Sequence, residues 1–200
     1  MGSGQTASVG VGLHRGLRLV DGHLEDIEAT VRTVGRLAWR EGNRDRLKGH
    51  LASELDLDVV YFYCHAGLDD VDEVIRVQGA DDPQEGRLAA ANLAGTPFEH
   101  RPLVFVNGCR TVGFSAKTLS SFITTLVTDR NAGGLIGTEI DVWEQLATEV
   151  GREFLGRFLP VPGIGAGQAL RETRLGLLAK GNPLGLAYTL YALAELQLRP

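Results

Sequence analysis

The chain has little cysteine, no excess of basic residues and no long apolar run. Each absence excludes a class of protein to which the chain could otherwise belong. Two cysteines among 200 residues do not form the framework of bridges found in small secreted domains, so reduced thiols are expected. A net charge of -5 offers no basic field for a phosphate backbone, which argues against direct nucleic-acid binding. No stretch reaches the roughly 18 apolar residues of a membrane span, and residues 1–13 lack a cationic stretch followed by an apolar core, so export is not expected. A cytoplasmic protein without membrane contact is expected.

Cofactor and metal motifs are also missing. The glycines at residues 10, 12 and 16 and the GIGAG sequence at 163–167 do not follow a strong strand with dinucleotide-binding spacing. GFSAKT at 113–118 lacks the glycine before lysine that a phosphate-binding loop requires. No C-x-x-C or H-x-x-x-H pair supplies zinc-ligand spacing. Neither a cofactor nor a metal is therefore expected.

What the sequence does contain is an alternation of strand and helix patterns. Continuously apolar runs at 58–64 and 102–108 are typical of strands buried on both faces, and weaker strand patterns occupy 73–79 and 133–140. Helical spacing predicts two helices within 24–55, broken at 41–43, and further helices at 84–95, 119–127, 143–158 and 167–179. The tail 186–196 fits a strand running into a short helix. This alternation predicts an α/β domain at 24–200 with a mostly parallel sheet, preceded by a partly flexible N-terminal segment at 1–23.

Reactive side chains follow both strong strands, as CHAG at 64–67 and NGCRT at 107–111. Neighbouring side chains of a strand point to opposite faces, so Cys64 and His65 cannot easily act on one another. The carboxyl ends of parallel strands meet at one sheet edge, where Cys109 can serve as the partner of His65. An imidazole that accepts the thiol proton makes the cysteine a nucleophile, and the backbone amides of Gly67 and Cys109 are candidates for an oxyanion hole.

The same residue types also have ordinary structural roles, which the spacing alone leaves open. Cysteine is among the most buried residues, and a histidine at a strand end is more often structural than catalytic. Cys64 lies within the apolar run and is expected in the core. The histidines without a partner pattern are expected on the surface or in structural roles, and they are His14, His23, His50 and His100.

Four ordered motifs resemble those of the CHAT domain, a bacterial branch of the caspase-like cysteine peptidases related to separase. They are YFYCHAG at 61–67, LVFVNGCRT at 103–111, AGGLIGTEI at 132–140 and GNPLGLAYTLYALAEL at 181–196. The resemblance covers about residues 50–198 and implies a caspase-like three-layer α/β/α sandwich. It assigns His65 as the general base and Cys109 as the nucleophile. Caspase-like peptidases commonly have glycine directly after the histidine, whereas Ala66 stands here, so the source of the oxyanion amide stays open.

The resemblance also implies how such a domain is used. A cysteine endopeptidase of this type cleaves a protein substrate without a cofactor, under the control of a regulatory protein or a helical-repeat sensor domain. Bacterial defence or cell-death signalling is one setting for such an activity. The alternative is a catalytically silent caspase-like interaction module that binds a partner.

Acidic residues after the third strand are the candidates for substrate selection. IDVWE at 140–144 resembles the segment in separase-like relatives where a carboxylate receives the basic side chain that precedes the cut. Asp141 and Glu144 are therefore candidates for binding arginine or lysine, with Glu139 as a third. The alternative is a helix start, in which Asp141 is the N-cap and Glu144 completes a capping box.

Overall fold

Strands and helices alternate in the computed structural model, which describes residues 7–69, 72–78, 86–108, 122–160 and 163–198. The strands are β1 (Ala7–Leu13), β2 (Gly35–Glu41), β3 (Val59–Tyr63), β4 (His65–Asp69), β5 (Asp72–Arg76), β6 (Arg87–Ala89), β7 (Leu103–Asn107), β8 (Gly134–Thr138) and β9 (Tyr188–Ala192). The helices are α1 (Val20–Val34), α2 (Arg44–Ser53), α3 (Glu144–Phe158) and α4 (Ala166–Ala179). Shorter helical segments cover Ala90–Leu93, Thr124–Asp129 and Pro183–Ala187, the second being π-helical.

The larger sheet has the strand order β2-β1-β3-β7-β8-β9. All neighbouring strands in it are parallel except β9, which runs antiparallel to β8 at the edge. The two apolar runs form β3 and β7, which pair in register from Val59 opposite Leu103 to Tyr63 opposite Asn107. Every residue of both strands is buried, as expected for inner strands of a parallel sheet. The carboxyl ends of β3 and β7 therefore lie side by side.

Helices cover both faces of this sheet. Along β3, Val59, Tyr61 and Tyr63 pack into the core beneath α1, α3 and α4. The alternate side chains, Val60 and Phe62, pack into a second core with residues of α2. Because side chains alternate across a strand, one apolar run supplies both cores. The predicted α/β/α sandwich with a mostly parallel central sheet is confirmed.

Two segments differ from the helices expected for them, and the N-terminal segment joins the sheet. Residues 35–41 form β2 because they pair in parallel with β1, which replaces the end of the expected first helix. Within 84–95, residues 87–89 pair with β5 and only the short turn Ala90–Leu93 is helical. Residues 7–13, placed by sequence in a partly flexible N-terminal segment, form β1 between β2 and β3. The helices expected at 143–158 and 167–179 are confirmed.

A buried arginine ties several loops to the core beneath α2. Arg130 is 1% exposed, and its guanidinium donates to the carbonyl oxygens of Leu51 at 2.5 Å, Thr96 at 3.1 Å and Leu93 at 3.2 Å. Its guanidinium carbon also lies 4.0 Å from the ring centre of Phe98. The cation is thus satisfied by carbonyl oxygens and an aromatic face, and burial lowers its pKa.

Within the described part of the chain, no helix has the length and apolarity required to cross a bilayer. The same residues contain no group of three or more histidine, cysteine or acidic side chains arranged to hold a metal ion.

Candidate active site

A cleft of about 260 Å³ opens at the carboxyl ends of β3 and β7. The ends of β3 and β7 form one side of the cleft, and the start of α3 forms the other. Its lining residues are Leu17, Tyr63, Cys64, His65, Asn107, Gly108, Val142, Trp143, Glu144 and Ala147. In open α/β sheets this edge is the usual position of a reactive crevice.

His65 and Gly108 line this cleft from neighbouring strand ends. His65 is exposed and begins β4, with Cys64 between it and the end of β3, and Gly108 follows β7 directly. A Cβ on Gly108 would lie 2.7 Å from the carbonyl oxygen of Cys64 and 3.3 Å from the Cβ of Ala66. The hydroxyl of Thr138 donates to the Gly108 carbonyl at 2.5 Å. A glycine is thus required at 108, because any side chain would push the two strand ends apart.

The predicted nucleophile, Cys109, lies outside the described residues, as does the rest of 109–121. Cys64 is 4% exposed and packs with residues of α2, which confirms its expected place in the core. Gly67, the other oxyanion-hole candidate, lies two residues beyond His65 in β4 and pairs with Val74 of β5. A Cβ on Gly67 would meet no described atom within 4 Å.

The structure separates the three acidic candidates. Glu144 lines the cleft with His65 and accepts the backbone N–H of Leu19 on its Oε2 at 3.0 Å. The N-cap of α3 is Trp143, whose carbonyl accepts the N–H of Ala147 at 2.9 Å. The alternative interpretation, a capping box that begins at Asp141, is therefore wrong. Glu144 is free of that capping role and lies at the first turn of the helix, on the side of the cleft.

Glu139 and Asp141 do not belong to the cleft lining. Glu139 accepts the hydroxyl of Thr189 on its Oε1 at 2.5 Å, so its carboxylate is engaged with strand β9. Asp141 is exposed in the loop that joins β8 to α3. Of the three acidic residues, Glu144 is the one that the fold brings beside His65.

A buried chain of polar side chains lies beneath the cleft, and sequence reasoning did not identify it. Asn107 Nδ2 donates to the Tyr61 hydroxyl at 2.6 Å and to the Ala147 carbonyl at 2.7 Å, and Asn107 Oδ1 accepts from the Tyr188 hydroxyl at 2.8 Å. The Tyr61 hydroxyl also lies 2.7 Å from Nε2 of His23. These contacts join β3, β7, β9, α1 and α3 directly behind Gly108.

His23 is held in this chain of contacts as a buried imidazole. The Tyr61 oxygen accepts from Asn107 and lies 2.7 Å from Nε2 of His23, to which its hydroxyl can donate when that nitrogen is unprotonated. His23 is 4% exposed, and its burial lowers its pKa to about 4. His23 is therefore a neutral, structural histidine, as the sequence indicated.

A second histidine stands beside His65. The ring of His14, the residue after β1, lies edge-on to the His65 ring with centroids 4.6 Å apart and planes at 76°. The sequence pattern indicates no partner for His14, because its position next to His65 depends on the pairing of β1 with β3. The run SVGVGL at 8–13, directly before His14, is the sequence signal that indicates strand β1.

One curated protein resembles most of this chain. A protein of Vitiosangium sp. named as a probable protease is 35% identical over 186 residues, which cover 90% of this chain. The chain spans 24% of that protein's length. No protein-family model matches the sequence.

Solved structures identify the fold. Two crystal structures of the Saccharomyces cerevisiae separase–securin complex, at 3.0 and 2.6 Å resolution, each superpose with a TM-score of 0.61. The sequence identities are 13% and 12%, and each match covers 94% of this chain and 12% of the matched chain. The sandwich described above is therefore caspase-like, as in separase.

Proposed function

We propose that this chain is a cysteine endopeptidase domain in which His65 and Cys109 form the catalytic dyad. The observation that carries the proposal is the cleft shared by His65 and Gly108, because one peptide bond joins Gly108 to Cys109. The protease name of the Vitiosangium relative and the separase-like fold support the same chemistry. The required glycine at 108 supports it further, since it keeps the strand end that leads to Cys109 against the strand end that carries His65.

In the proposed reaction, His65 takes the proton of the Cys109 thiol, and the thiolate attacks the carbonyl carbon of the scissile peptide bond. The tetrahedral oxyanion is stabilised by backbone N–H groups, for which Gly67 and Cys109 are the candidates. Collapse breaks the C–N bond, and His65 gives its proton to the leaving amine. Water then attacks the resulting thioester, which releases the acid and restores the thiol.

We assign Glu144 as the residue that selects substrates with a basic side chain before the cleaved bond. Its carboxylate stands in the cleft that holds His65, whereas Asp141 lies outside the lining and Glu139 is bound to Thr189. A carboxylate in a partly desolvated cleft attracts arginine or lysine at short range. The hydrogen bond from the Leu19 amide fixes the position of that carboxylate.

Control by a partner protein is part of the proposal. The separase structures contain securin. In this chain the exposed rim of the cleft, including Trp143 at 70% exposure, is an accessible surface for a regulatory protein or a sensor domain. Such a partner would open or block access to His65.

The test compares Cys109→Ala with Cys64→Ala, a matched change at the chain's other cysteine. A peptidyl electrophile bearing arginine at its first position is incubated with each protein, and the site of labelling is identified by mass spectrometry. Wild type and Cys64→Ala should be labelled at residue 109, and Cys109→Ala should not. Glu144→Gln should lower the preference for arginine over leucine probes by about tenfold or more, whereas Asp141→Asn should leave it unchanged.

Proteolysis that persists in Cys109→Ala would exclude this mechanism. Absence of labelling in wild type, even when a cell extract supplies partners, would favour the interaction module over the enzyme. Equal loss of arginine preference in the Glu144 and Asp141 variants would remove Glu144 from the selectivity site.

A further inference from the structure

The position of His14 is fixed by two contacts that do not involve His65. Its backbone N–H donates to the Tyr63 carbonyl at 2.8 Å, which ties the end of β1 to the end of β3. Its Nδ1 accepts the backbone N–H of Gly16 at 3.1 Å. In the neutral ring the proton is therefore on Nε2, and the ring cannot rotate without losing the Gly16 contact. These two hydrogen bonds hold His14 in place beside His65.

His65, by contrast, is an exposed side chain at the start of a short hairpin strand. Among the described residues, the contact that orients its ring is the edge-on approach of His14 at 4.6 Å. An edge-to-face pair of aromatic rings has a preferred geometry, so one fixed ring restricts the orientation of the other. Among the described residues, a fixed imidazole thus packs edge-on against an exposed one.

Burial and neighbouring charges together lower the pKa of His14. Burial lowers the pKa of His14 first, and the charge of His65 lowers it further. Arg76 of β5 acts in the same direction, whereas Glu144 of α3 and the backbone contact act against it. His14 therefore packs edge-on against His65 as a neutral ring near pH 7.

We propose that His14 is a positioning residue that holds the His65 imidazole in its working orientation. The inference rests on the proposed His65–Cys109 dyad and adds a third residue to it, acting through His65 and not on the substrate. A proton-transfer group must lie within about 2.6–3.2 Å of its partner atom, so a ring that turns freely spends less time in reach. Loss of the His14 ring is expected to slow reactions of the dyad about five- to tenfold. One edge-to-face contact between aromatic rings changes the population of the working orientation of His65 by about that factor.

Two substitutions separate positioning from a local structural role. His14→Asn keeps an oxygen near the place of Nδ1, and so keeps an acceptor for the Gly16 N–H, but removes the ring. His14→Phe keeps the ring edge against His65 but removes the acceptor. If His14 positions His65, the asparagine variant is slow and the phenylalanine variant stays within about twofold of wild type. If His14 only closes the turn to Gly16, the order is reversed.

The measurement is the rate of Cys109 alkylation by iodoacetamide from pH 5 to 9, followed by mass spectrometry of the modified peptide. This assay needs no substrate, and thermal unfolding of each variant checks that it is folded. His14→Asn should slow alkylation near pH 6–7, and it should have no further effect in a His65→Ala background. Equal rates for wild type and His14→Asn, the reversed order, or an effect that persists without His65 would each overturn the positioning role. If His65→Ala itself leaves the Cys109 rate unchanged, the dyad is refuted and the role of His14 with it.

Discussion

Replacement of Asn107 by leucine should lower the free energy of unfolding by about 3–5 kcal/mol, at nearly constant side-chain volume. Asn107 makes three buried hydrogen bonds, to the Tyr61 hydroxyl, the Ala147 carbonyl and the Tyr188 hydroxyl. Removing the partner of a buried polar group costs about 1–3 kcal/mol per group. Three such groups would together cost about 3–9 kcal/mol. Because Tyr61 keeps its contact with His23, the expected loss lies in the lower part of that range. Since domains are stable by about 5–15 kcal/mol, this is a large fraction of the total.

Urea unfolding followed by far-ultraviolet circular dichroism measures this loss as a lower midpoint at unchanged slope. Tyr188→Phe is the companion variant, because it removes the hydroxyl that donates to Asn107 Oδ1. In wild type that change should cost about 1 kcal/mol, and in the Asn107→Leu background it should cost much less, since the shared hydrogen bond is already absent. A loss below about 1 kcal/mol for Asn107→Leu, or fully additive effects, would refute the inference that these side chains act as one network.

Two further predictions concern buried basic side chains. His23 has a pKa of about 4 in the folded protein and an ordinary value of 6.5, so the unfolded chain binds more protons between these values. The free energy of unfolding should therefore fall by up to about 3 kcal/mol as the pH drops from 6.5 to 4. Urea titrations at pH 7 and 4.5 should give a smaller fall for His23→Gln than for wild type. An equal fall would contradict the lowered pKa of His23. Arg130→Lys should cost about 3 kcal/mol in the same assay, because an ammonium cannot reach the three carbonyls that the guanidinium binds; a loss below 1 kcal/mol would contradict that role.

The strands β3 and β7 were predictable from the sequence, whereas β2 was not. β3 and β7 are continuous apolar runs, and only a strand covered on both faces tolerates such a sequence. β2 has the sequence GRLAWRE, and its spacing continues the helical pattern of α1. Pairing with β1 makes this segment a strand. The two strands approach so closely that a Cβ on Gly35 would lie 2.1 Å from the carbonyl oxygen of Ala7. That backbone contact has no counterpart in the local sequence pattern.

The candidate site divides in the same way. The sequence predicted a reactive crevice at the ends of two strong strands because CHAG at 64–67 and NGCRT at 107–111 follow apolar runs. These runs do pair in parallel. The sequence did not indicate His14, whose relation to His65 depends on β1 lying next to β3. Nor did it distinguish Glu144 from Asp141, because the choice depends on where α3 begins, and the structure places its N-cap at Trp143. Contacts between distant segments decide these details.

The two tryptophans of the chain give the cleft a built-in optical probe. Trp143 is 70% exposed on the lining of the cleft, whereas Trp39 is 5% exposed and stacks on His50 with centroids 5.4 Å apart. A peptide or protein that occupies the cleft would remove water from the Trp143 indole and leave the surroundings of Trp39 unchanged. Emission from the one indole would then shift to shorter wavelength against the constant signal of the other. Occupancy of the cleft can thus be followed in the unlabelled protein, before any substrate is identified.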